Sequence, residues 1–300
     1  MLLDDFLSQW FDYHCAGLRL STVSMYARCI NLIKAKSGGK ALEELRPLDV
    51  AALYSDELRA GHARTAQLIH MTLKAAFNDA IAWGYIPSNP AAALKRPRHA
   101  AKKTPYLHAP DLAALIRGGR HGSLWLLLVC TGIRKGEAAG LRWSDVSSSG
   151  ITIRRTVSRI GPSVIVNPPK SEAGNRFLPC PPVLLSMLRR EKRLQRLAAM
   201  RAGVPWSENS YIITPRGDLI RDPRYINRYL TTDLRTLGLP LVSPHGLRKS
   251  MGSLAISSGT DIRILQTLLG HEHISTTSLY AVPDESTRAA ALASVAASVT

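Results

Sequence analysis

The chain has 300 residues, 45% of them apolar, a formal charge of +17 and a pI near 10.2. That apolar content suffices for ordinary cores and excludes global disorder, and the length favours two domains over one. The charge favours a polyanionic partner and is spread along the chain: residues 1–103 carry 14 basic and 9 acidic side chains, residues 104–300 carry 25 and 13.

An anionic membrane is the weaker of the two polyanions. The longest apolar run, Leu124 to Cys130, falls far short of the roughly 20 residues that span a bilayer. The N-terminus, Met1-Leu-Leu-Asp-Asp, lacks the basic start of a secretory signal peptide. Cys15, Cys29, Cys130 and Cys180 are scattered, with no Cys-x-x-Cys pair, which predicts reduced thiols in a cytoplasmic protein.

Residues 3–98 read as almost wholly helical. Leu3, Phe6, Leu7 and Trp10 recur at helical spacing, and Val23, Tyr26, Ile30 and Ile33 repeat the pattern after an N-cap at Ser21 or Thr22. Gly38-Gly39 stops that helix. A third runs from Pro47 to Gly61 and a fourth from Ala63 to Trp83. The expectation is a four-helix bundle over residues 1–98, followed by a basic, proline-bracketed linker over 99–105 within Arg96–Pro105.

Residues 106–300 mix elements. Pro110-Asp111 opens a helix, and Ser123–Cys130 forms a buried one that ends at Thr131-Gly132. Ile151–Val157, Ser163–Val166 and Arg176–Pro179 read as strands of one small sheet, with a turn at Gly161-Pro162. A long basic helix spans Pro182 to about Met200, and the remainder is mainly helical. The fold class is therefore mainly α with a small β-sheet (α+β).

The chemistry lies in a set of ordered motifs: Thr131-Gly-Ile-Arg134-Lys-Gly-Glu137, then His245-Gly-Leu-Arg248, then Leu269-Gly-His271, then Tyr280. Arg134 follows a glycine turn at a helix start, where backbone N–H groups suit a phosphate, and Glu137 stands three residues on to orient it or a nearby histidine. His245 and Arg248, one helical turn apart, share a face behind Pro244. Guanidinium forks take phosphate oxygens, and histidine donates to a third or shuttles a proton. A tyrosine hydroxyl, with an ordinary pKa of about 10, becomes a nucleophile only where cations neutralise the phosphate and a base stands close. The set suits attack on a phosphodiester. His271-Glu272-His273 lacks the spacing that puts two histidines on one helical face, no carboxylate cluster suggests two-metal hydrolysis, and no Gly-rich Walker loop is present. No metal or other cofactor is expected.

These motifs resemble those of the tyrosine recombinase (phage integrase) family along nearly the whole chain. Arg134 to Glu137 looks like its first arginine box, His245 to Arg248 like its second, and Leu269-Gly-His271 and Tyr280 like its closing histidine and nucleophile. Pro169-Lys170-Ser171 before Arg176–Pro179 is similar to the family's lysine-bearing hairpin, and Ile86-Pro-Ser-Asn-Pro90 to the end of its core-binding domain.

The resemblance implies a core-binding domain over 1–98 and a catalytic domain over 106–300. It implies attack by Tyr280 to give a 3′-phosphotyrosyl link, with Arg134 and Arg248 on the non-bridging oxygens and His245 and His271 on the phosphate. Lys170 would protonate the 5′-oxygen and Glu137 would support the pocket. Implied partners are double-stranded DNA carrying a specific site and further copies of the chain, four on two duplexes. The resemblance leaves room for an excisionase or a DNA-bending protein. The Ala-rich tail over 285–299 would dock on a neighbouring protomer or on its own domain.

Some members carry a small N-terminal domain for accessory arm sites; this chain starts directly at the core-binding helices. The biological setting would be a prophage or other mobile element, with the protein cytoplasmic and nucleoid-associated. Two other readings stay open: a type IB topoisomerase-like DNA-relaxing enzyme, and a catalytically inert DNA-binding relative.

Overall fold

The computed structural model describes residues 1–99, 104–169, 174–214 and 220–270. The chain divides into two compact units, Met1–Lys102 and Lys103–Thr300.

The first unit is built from α1 (Leu3–His14), α2 (Leu20–Ser37), α3 (Pro47–Arg59) and α4 (Ala63–Ala82). Each helix buries one stripe. Leu3, Phe6, Leu7 and Trp10 of α1 meet Cys29, Ile30 and Ile33 of α2 and Ala66, Ile69, Leu73, Ala76, Phe77 and Ala80 of α4 in one core. The Trp10 indole N–H donates to Asp79 at 2.7 Å, so the buried ring has its polar partner. The second helix begins at Leu20 and not after Ser21 or Thr22. The Arg19 carbonyl already accepts from the N–H groups of Thr22 and Val23, so the cap position falls two residues before Ser21 and three before Thr22. In the Ile86–Pro90 segment, Asn89 donates to the Lys74 carbonyl and to Asn78, pinning the chain back on α4.

The second unit opens with α5 (Ala109–Gly118), α6 (Gly122–Thr131) and the short α7 (Lys135–Gly140). Four strands follow: β1 (Gly150–Ile153), β2 (Thr156–Ile160), β3 (Ser163–Asn167) and β4 (Arg176–Pro179). Then come α8 (Pro182–Arg201), α9 (Arg224–Thr236), α10 (Pro244–Ser257) and α11 (Ile262–Leu269). The strands correct the expectation of a single sheet. They make two antiparallel pairs, β1 with β4 and β2 with β3. The predicted strand Ile151–Val157 breaks at Arg154-Arg155, where the Arg155 guanidinium reaches the buried Asp145 carboxylate and the Gly140 carbonyl.

The core of this unit gathers Trp125 and Leu128 of α6, Ile151 and Ile153 of β1, Leu178 of β4, Leu184 and Leu188 of α8, Leu230 and Leu234 of α9 and Leu247 of α10. Asp233, buried on α9, accepts from the Trp125 indole at 2.7 Å and from the His121 N–H at 2.9 Å, locking α9 to the corner between α5 and α6. No helix among the described residues is long and apolar enough to cross a membrane, and all four cysteines are free thiols.

Candidate active site

The site grows from the turn between α6 and α7. Gly132 ends α6 with φ of 61°, a left-handed conformation that a β-carbon would strain, and the chain reverses there into Arg134. Helix α7 lies directly on β2: a β-carbon at Gly136 would stand 2.6 Å from both Thr156 Oγ1 and the Val157 carbonyl. Glycine at 136 thus sets how closely the Arg134 turn sits on the sheet.

Glu137 organises that turn. Its buried carboxylate accepts from the Arg134 backbone N–H at 2.9 Å and from Arg134 Nη1 at 2.8 Å. The helix start therefore offers a phosphate less than the sequence suggests, because the Arg134 N–H is already taken. What remains open is the side chain, 47% exposed. Burial alone would push Glu137 upward. The charge and hydrogen bonds of Arg176, followed by the Arg134 N–H and charge, outweigh it and hold the carboxyl below its usual range.

Arg176, at the head of β4, is the site residue that sequence reasoning missed. Its Nη2 donates to Glu137 Oε2 at 3.1 Å, its Nη1 to Oε1 at 3.4 Å, and its Nε to the Leu268 carbonyl at 2.9 Å. Nothing local marks it, since Glu137 and Leu268, the partners that place it in the site, lie 39 and 92 residues away.

Helix α10 brings the second motif. Ser243 caps it by accepting from Gly246 N, and Pro244 occupies the first turn, where a missing N–H costs nothing. Arg248, 2% exposed, donates from Nη1 to the Gly132 carbonyl and from Nη2 to the Leu269 carbonyl, both at 2.6 Å. Its fork thus ties α10 to the ends of α6 and α11. His245, exposed one turn earlier on α10, is held below the ordinary histidine value. Loss of solvent around the ring is the larger cause, followed by the positive charges of Arg248, Arg134 and Lys249.

These groups meet at one place. Arg176, Arg248 and Arg134 donate to the carbonyls of Leu268, Leu269 and Gly270 in turn, so three guanidinium groups collar the C-terminal, negative end of α11. Asp261 caps the other end of that helix, and Gly270 turns the chain with φ of 63°. The structure therefore brings together Arg134, Glu137 and Arg248, adds Arg176, and places His245 one turn before Arg248 on α10. Lys170, His271 and Tyr280 lie outside the described residues.

Comparison with known proteins sets this geometry in context. The model of the phage integrase family matches residues 208–286. A XerC-like tyrosine recombinase of Caldanaerobacter subterraneus subsp. tengcongensis is 23% identical over 84% of this chain and 71% of its own length. The integrase of Escherichia phage HK022 is 29% identical over 47% of this chain, a stretch that spans 40% of that protein. Among solved structures, the Tn1549 transposon integrase in complex with transposon right end DNA covers 99% of this chain and all of its own, with a TM-score of 0.79 at 18% identity. A lambda integrase tetramer bound to a Holliday junction covers 93% of this chain and 77% of its own, with a TM-score of 0.71 at 21% identity. At these identities the two structures establish a shared fold.

Proposed function

From the premise that the chain belongs to the phage integrase family of tyrosine recombinases, which act on DNA, we propose that it cuts and rejoins DNA at a specific site and exchanges strands between two duplexes. The observation that carries the proposal is the convergence of Arg134 and Arg248 at one end of α11, with Glu137 bonded to Arg134 and His245 one turn before Arg248 on α10.

In the proposed reaction the Tyr280 hydroxyl oxygen attacks the scissile phosphorus. A P–O bond to tyrosine forms, the P–O5′ bond breaks, and the 3′ end stays on the protein. The solvent-open Arg134 side chain meets a non-bridging oxygen, and the positive charge of Arg248 beside it offsets the charge that grows in the transition state. His245, kept neutral by its surroundings, can accept the phenolic proton or hydrogen-bond the phosphate. His271 would join it there, and Lys170 would give a proton to the departing 5′-oxygen. The phosphodiester energy is kept in the tyrosyl link, so a 5′-hydroxyl from the partner strand reverses the step and completes the exchange.

Four protomers on two duplexes would provide the partner strand, and a prophage or other mobile element is the proposed setting. The excess of basic residues in both halves of the chain supports a DNA partner touched by each.

The test is Arg134→Ala. Loss of one preorganised donor to a developing charge costs about 10²–10³ in rate. Cleavage of a site-bearing duplex should fall by that factor, while affinity for the same duplex changes less than about threefold, because many other phosphate contacts hold the DNA. Parallel loss of affinity and cleavage would remove Arg134 from the scissile phosphate.

A further inference from the structure

We propose that Arg176 is a positioning residue that acts through Glu137: it shares the glutamate's negative charge, so that Arg134 keeps a net positive charge for the scissile phosphate. The inference rests on the recombinase reading given above.

Arg176 has no route to DNA of its own. Its side chain is 7% exposed, and its guanidinium donates to both Glu137 oxygens, to the Leu268 carbonyl and to the Gly174 carbonyl. Arg134, bonded to the same carboxylate, is open to solvent. Two guanidinium groups around one carboxylate leave a single positive charge. Without Arg176, Glu137 would pair with Arg134 alone and the cluster would be neutral. Because Glu137 is only 4% exposed, water does little to screen it, and the full effect would fall on Arg134.

The bond from Arg176 Nε to Leu268 fixes where this compensation acts. Leu268 is the first of the three successive carbonyls that the arginine collar holds, and Arg134 holds the third. Arg176 is thereby locked to the same helix end as the arginine it serves. A merely structural ion pair would also be buried and bonded in this way, but it would not act through Glu137 on the chemical step.

A double-mutant cycle separates the two. The readout is the rate of covalent adduct formation on the duplex recovered from the wild-type chain, at saturating protein, with DNA affinity and melting temperature measured alongside. Arg176→Gln should slow adduct formation by about 10²-fold with less than a threefold change in affinity. In a Glu137→Gln background the same substitution should cost less than about threefold, since no carboxylate then needs offsetting. The double variant carries no buried carboxylate and remains assayable even where Arg176→Gln alone does not fold. A double variant about 10²-fold slower than Glu137→Gln, or an Arg176→Gln variant as fast as wild type, overturns the assignment. A wild-type chain that forms no adduct on any duplex overturns the recombinase reading instead, and the inference falls with it.

Discussion

His245 shows how position sets the chemistry of a single side chain. Partial loss of solvent and three neighbouring cations all disfavour its charged form, so the folded protein binds this proton less readily than the unfolded chain. A histidine depressed in this way supports the fold above its unfolded value of about 6.5 and withdraws that support as pH falls through its lower folded value. Melting temperature should therefore drop between pH 7 and pH 5, and His245→Gln should flatten part of that drop. Superimposable pH profiles for the two proteins would contradict the assignment. Glu137 titrates in the same direction but in a more acidic window, below about pH 4.3, so the two contributions separate on the pH axis. Arg248 carries a structural duty as well, because its removal would leave the Gly132 and Leu269 carbonyls without their donors.

Among the elements, α7 depends most sharply on one residue. Its six residues carry Glu137 and follow Arg134 at the N-cap, and it sits on β2 only because position 136 has no side chain. Gly136→Ala forces a methyl group against Thr156 Oγ1 and the Val157 carbonyl. Overpacking of this kind costs about 1–3 kcal/mol, or a melting temperature lower by roughly 2–12 °C for a unit of this size. A variant as stable as wild type would show that α7 can lift from the sheet freely.

Elements were legible in the sequence where burial has a period. The stripes Leu3–Trp10 and Ala66–Ala80 face a single core and read directly as helices. The strands were legible as extended segments but not as a sheet, because pairing is non-local and Arg155 diverts the chain towards Asp145. Arg134, Glu137 and Arg248 were visible because short motifs hold them. Arg176 was hidden because its meaning comes from a glutamate on α7 and a carbonyl at the end of α11, neither near it in sequence.

For the molecule as a whole, the central claim is that two basic units, Met1–Lys102 and Lys103–Thr300, serve one DNA-cleaving tyrosine. The most direct measurement is recovery of covalent protein–DNA adducts from cells that express the chain, beside Tyr280→Phe, with sequencing of the attached DNA. The account predicts adducts on one short recurrent sequence, joined through a 3′-phosphate and absent from the Tyr280→Phe protein. Adducts scattered over all sequences would indicate a topoisomerase-like relaxing activity. Adducts that persist in Tyr280→Phe, or a wild-type chain that binds DNA and forms none, would contradict the account.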